Sequence, residues 1–167
     1  MADTALLRGL LDSNADYART FDRSTLPLPP AKKLAILVCM DARLDAHAIF
    51  GLHEGDAHVI RNEGGIATED AIRSFIISSN LLGTTEFVVV NHTDCGMLTF
   101  KDRDVQDKLT AQYGVNAAKV SLHAFTNLEA NVRTQVEKLR TNAFFPKDIP
   151  ITGFVYDVRT GKLNRVT

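Results

Sequence analysis

Three short apolar runs constrain this chain more than any other feature. Leu34-Ala35-Ile36-Leu37-Val38-Cys39 has no polar face. A strand of that kind needs cover on both sides, as inside a parallel sheet. Residues 58–62, His-Val-Ile-Arg-Asn, and 86–91, Glu-Phe-Val-Val-Val-Asn, read as two more strands, the last rich in β-branched residues. Residues 68–82 between them read as a helix. Ile72, Phe75, Ile76 and Ser79 mark one face, and Gly83 stands where a C-terminal cap belongs. Leu128, Val132, Val136 and Leu139 mark a further helix. Residues 154–158 predict a strand, Arg159-Thr160-Gly161-Lys162 a turn, and 163–166 a last short strand. Strands alternating with helices predict an α/β fold: a mainly parallel β-sheet flanked by helices, with an antiparallel C-terminal addition.

Ahead of the first strand, Ala5 to Arg19 reads as a helix with Leu6, Leu7, Leu10 and Leu11 on one side. Leu26-Pro27-Leu28-Pro29-Pro30 ends any helix there, because proline lacks the N–H donor. The expected organisation is one domain, residues 1–167, with an N-terminal helical arm over about residues 3–20. The charged stretch 101–107 reads as a solvated loop or helix face. A formal net charge of −1 leaves no electrostatic footprint for nucleic acid or an anionic membrane surface. No apolar run approaches the roughly 18 residues that span a bilayer. Without a basic-then-apolar leader, a cytoplasmic protein is expected. In a reducing compartment, two cysteines read as buried, reactive or metal-bound thiols and not as a disulfide scaffold.

In an open α/β sheet, sites form beyond the carboxyl ends of the strands. The first three strands end in Cys39-Met40-Asp41-Ala42-Arg43, in Arg61-Asn62-Glu63-Gly64-Gly65 and in Asn91-His92-Thr93-Asp94-Cys95-Gly96. His92 and Cys95 are close enough in sequence to face one point, and Cys39 arrives from another strand end. Two thiolates and an imidazole suit zinc, and three protein ligands leave one position open for water, whose pKa the metal lowers toward about 7. Asp41 lies two residues past Cys39, within reach of that position, and Arg43 can hold its carboxylate in a two-pronged bond. Held by Arg43, Asp41 stays ionised and accepts a hydrogen bond; on the metal, it closes the site. The alternatives are inert core cysteines, a surface Asp–Arg pair of little consequence, and a metal-free Cys39–His92 nucleophile pair that leaves Cys95 idle. Gly64-Gly65 permits a tight turn, and the following helix N-terminus offers weak support for a small anion. His47, His53, His58 and His123 read as structural or exposed.

These blocks resemble the signature blocks of the β-class carbonic anhydrases in content, order and spacing. Met40 to Asp45 and Gly153 to Val158 resemble the small subgroup that also contains carbonyl sulfide hydrolases. The resemblance implies one zinc per subunit on Cys39, His92 and Cys95, with Asp41 and Arg43 as a catalytic dyad. It implies a homodimer, often paired into a tetramer, with the N-terminal helix over the partner; the other reading is that its leucines cover their own core. Glu63 stands where similar sequences often carry a small residue. The chain has no tryptophan, so a regulatory bicarbonate pocket built on one is unsupported. The resulting expectation is hydration of carbon dioxide to bicarbonate. The alternatives are hydrolysis of carbonyl sulfide and a non-catalytic zinc or bicarbonate-sensing protein closed by Asp41.

Overall fold

A computed structural model describes residues 2–167. Its sheet has five strands: β1 (Leu34–Cys39), β2 (Ala57–Asn62), β3 (Glu86–His92), β4 (Ile151–Tyr156) and β5 (Leu163–Arg165). Their order is β2-β1-β3-β4-β5. β1 pairs in parallel with β2 and β3, and β3 with β4; only β5 runs antiparallel, on β4. The expected fold class is therefore the observed one, and the first three strand ends lie on one edge.

Alternation along the strands sorts the core into two layers. Leu37, Phe87 and Val89 pack with Phe75 of α3 (Glu69–Leu82) and with Val132, Val136 and Leu139 of α5 (Leu128–Arg140). Ile36, Val38, Val88 and Val90 face the other way, onto Leu44, Leu52, Met97 and Ala46, the first residue of α2 (Ala46–Phe50). That short helix had no periodicity long enough to announce it.

Two expectations need adjusting. The buried face of α3 is Ala71, Phe75 and Ser78, with Ile72 and Ile76 packed at its margin; Ser79 is only half-buried. Ser78 takes the inner place because its hydroxyl bonds both His58 Nδ1 and Thr84 Oγ1, each at 2.7 Å. β4 starts three residues before 154, running through Gly153. Glycine weakens a strand in isolation, but here α5 packs directly onto it: a Cβ at 153 would lie 2.5 Å from Val132 Cγ1.

α1 (Ala5–Arg19) forms where predicted, capped by Thr4, whose hydroxyl accepts the Leu7 N–H. No residue of it is buried, and Leu6 and Leu10 are 75% and 60% exposed. The leucines do not cover their own core. The helix is held at its far end, where the Tyr17 hydroxyl donates to Glu54 at 2.8 Å and Arg23 pairs with the same carboxylate. The charged stretch enters α4 (Asp102–Tyr113), which also buries nothing. Among the described residues no helix is long and apolar enough to cross a membrane.

Candidate active site

Cys39 is the last residue of β1 and His92 the last of β3, and Cys95 follows three residues on. Parallel pairing of β1 with β3 brings the two strand ends level. The structure therefore unites all three residues: their sulfur and ring-nitrogen atoms lie within 4.8 Å of one another, and all three residues are buried. The His92 tautomer follows from its neighbour. Nδ1 lies 2.9 Å from the Thr93 carbonyl oxygen, which can only accept, so Nδ1 carries the proton. Nε2 then presents a lone pair. It is buried and has no hydrogen-bond partner. An orphaned acceptor at that depth is costly, and a cation between it and the two sulfurs removes the cost. A tetrahedral zinc with bonds of about 2.0–2.3 Å fits inside a donor set this close. By geometry and by donor chemistry the Cys–His–Cys group could hold a metal ion.

The sulfurs are not equivalent. Cys39 is pushed below the ordinary thiol range, chiefly by the hydrogen bond from Cys95 and against its own burial; the backbone N–H groups of Asp41 and Gly64 add to the effect. Cys95 is pushed up for the reciprocal reason, as the donor to Cys39. The Gly64 N–H lies 3.3 Å from Cys39 Sγ. Gly64 and Gly65 have φ of 74° and 62°, and a Cβ at Gly65 would lie 2.8 Å from the Val90 carbonyl. The tight turn read from the sequence is present. α3 begins only at its cap Thr68, so the turn is separate from the helix N-terminus, and the amide of Gly64 is committed to sulfur. The small-anion reading gains nothing here. Glu63 is half-buried at the start of the turn.

Asp41 and Arg43 meet as expected. Arg43 Nε donates to Asp41 Oδ1 at 2.9 Å and Nη2 to Oδ2 at 2.8 Å, while the Arg43 backbone N–H adds a 2.9 Å bond to Oδ1. These bonds, from the guanidinium first, hold the Asp41 carboxyl well below the usual carboxylate range. Asp41 Oδ2 is 3.8 Å from His92 Nε2.

Two residues had no role assigned from the sequence. Asp94 takes the remaining arm of Arg43, accepting from Nη1 at 2.8 Å at its carboxylate and from Nη2 at 3.0 Å at its carbonyl. Arg61 donates to the carbonyls of Cys39 (3.1 and 3.2 Å) and Asp41 (2.8 Å), fixing the backbone that carries both. No spacing rule pairs residues 43 and 94, or 61 and 41; the parallel strand ends do. His47, His53 and His123 are exposed, and half-buried His58 is engaged with Ser78, so none of the four joins the group.

Comparison with known proteins agrees with this geometry. A family model described as carbonic anhydrase matches residues 34–163. The chain is 46% identical over 157 residues to beta-carbonic anhydrase 1 of Mycobacterium tuberculosis, covering 94% of this chain and 95% of that protein. The chain belongs to the β-carbonic anhydrase family. The crystal structure of a carbonic anhydrase from Streptococcus mutans superposes with a TM-score of 0.94 at 38% identity, covering 99% of this chain and 100% of that one. The family also reaches other chemistry. A carbon disulfide hydrolase of Acidianus sp. is 36% identical, covering 90% of this chain and 83% of its own length.

Proposed function

We propose that this β-carbonic anhydrase family member hydrates carbon dioxide to bicarbonate and a proton, using one zinc ion per chain held by Cys39, His92 and Cys95. The carrying observation is His92 Nε2: buried, without a partner, beside two cysteine sulfurs and 3.8 Å from Asp41. Zinc bound there supplies Lewis acidity that brings the pKa of a coordinated water toward about 7.

The chain's own residues do the positioning. Asp41 Oδ2 accepts a hydrogen bond from the attacking water and turns its lone pair toward the carbon. Arg43 keeps Asp41 ionised and in place through both carboxylate oxygens, and its charge does not titrate in the accessible range. That grip supports a site open to substrate over one closed by Asp41. Asp94 and Arg61 anchor the grip from either side. In this reading residues 1–167 form one domain. The unburied leucine face of α1 is covered by a partner copy in a homodimer or a dimer of dimers.

The carbon disulfide hydrolases among the relatives favour one second reading, hydrolysis of carbonyl sulfide to hydrogen sulfide and carbon dioxide at the same site. Zinc-loaded protein offered each gas in turn separates the two. Proton release with carbon dioxide is expected to outpace sulfide release with carbonyl sulfide. Rapid sulfide release with negligible carbon dioxide hydration reverses the assignment.

A further inference from the structure

Behind the site, the apolar layer between α5 and the sheet contains three buried amides in a row. Asn91, Asn131 and Gln135 are 1%, 9% and 2% exposed. Asn91 Nδ2 donates to the carbonyls of Gly64 (2.8 Å) and Gly65 (3.2 Å). Asn91 Oδ1 accepts from Asn131 Nδ2 at 2.7 Å, and Asn131 Oδ1 accepts from Gln135 Nε2 at 2.7 Å. Gln135 Oε1 ends the row, accepting the Ala67 N–H at 3.0 Å and Lys138 Nζ at 3.2 Å.

The direction of this chain is dictated by its ends. Glycine carbonyls can only accept, and the Ala67 N–H can only donate, so no amide between them can flip without opposing two like groups. Amides carry a desolvation cost in an apolar layer unless every group is bonded. Here each link is bonded, and bonds in series polarise one another. The chain terminates on the two left-handed glycines of the turn. Turning the Gly64 and Gly65 carbonyls inward, onto Asn91, sets the turn whose Gly64 N–H lies on Cys39 Sγ.

We propose that Gln135, Asn131 and Asn91 are positioning residues that hold the Gly64 N–H against the Cys39 sulfur and thereby retain the metal. The metal part rests on Cys39 being a zinc ligand. Groups bonded to a ligand typically change metal affinity 10–100-fold when lost.

The test uses the full chain with Asn131→Asp, which keeps the volume but sets an acceptor against Asn91 Oδ1, and Gln135→Met, which cuts the far end. Two readouts are followed: exchange of the Gly64 amide by NMR in metal-free protein, and zinc transfer to a chelator from loaded protein. Asn131→Asp is expected to accelerate zinc transfer about tenfold, the low end of that range, and to accelerate Gly64 exchange as well; Gln135→Met should do both to a smaller extent. Val136→Ala, on the same helix and in the same core but outside the chain, should move neither while lowering the melting temperature. Wild-type behaviour of both Asn131→Asp and Gln135→Met overturns the proposal. So does an equal acceleration in Val136→Ala. Failure of the metal reading shows separately, as a wild-type chain that takes up no zinc, and the Gly64 arm then still decides the positioning.

Discussion

The carboxyl edge of the sheet and the N-terminal helix are opposite cases of how a local pattern becomes structure. At the sheet edge, Arg43 is held by Asp41 and Asp94, the 39–41 backbone by Arg61, and the glycine turn by Asn91. Nearly every polar group there has a partner; His92 Nε2 does not. α1 is well formed and well capped, yet it buries none of its residues. One region is over-determined around a single unpartnered ring nitrogen, and the other leaves an apolar face uncovered by its own chain. In the proposed function the first is completed by a metal and the second by a partner copy.

The sharpest way to break the first half of that contrast is to remove a sulfur. Cys39→Ser or Cys95→Ser should lose nearly all zinc and activity, and elemental analysis showing full zinc in either variant removes that residue from the ligand set. Arg43→Ala tests the grip without touching a ligand. Misplacing a reacting group by about an ångström costs on the order of a hundredfold, so turnover should fall by about that much while zinc content stays normal. Wild-type turnover in Arg43→Ala would reduce the pair to a surface contact. The double variant Arg43→Ala with Asp41→Ala should keep its zinc and stay slow.

The second half of the contrast is tested by paired Leu6→Asp and Leu10→Asp substitutions. Neither side chain is buried in its own chain, so the monomer fold should survive with little change in circular dichroism, while sedimentation shifts from dimer to monomer. A wild-type chain that sediments as a fully active monomer refutes the partner surface. The smallest expected effect is on acid stability. A carboxyl held below its ordinary value contributes stability that is fully present above the unfolded-state pKa near 4 and is lost as pH falls through the folded value. The Asp41→Asn variant of the metal-free chain should therefore differ from wild type by a constant small shift in urea midpoint above about pH 5, and that difference should shrink in stronger acid. The shift is small because Arg43 is half-exposed.

Much of this molecule is decided by sequence alone, and the reason is periodicity. A strand with no polar face has to be interior, and the boundaries of α1 and β1 follow from apolar spacing. Parallel strands then bring Cys39, Asp41, Arg43, His92 and Cys95 to one edge, because strand direction is dictated by the intervening helices. What only the tertiary structure decided are contacts between groups far apart in sequence. The amides of Asn131 and Gln135 look like polar interruptions on α5 until packing against β3 gives each a partner. Arg61 and Asp94 are ordinary charged residues until the strand ends bring them to the backbone of Cys39 and the guanidinium of Arg43. The leucines of α1 look equally suited to an internal or an external core, and only the fold shows that the sheet is already covered, by α3 and α5 on one face and by α2 with Leu44, Leu52 and Met97 on the other. Hydrophobic periodicity is a local property and survives in one dimension; hydrogen-bond satisfaction depends on the exact neighbours that folding supplies.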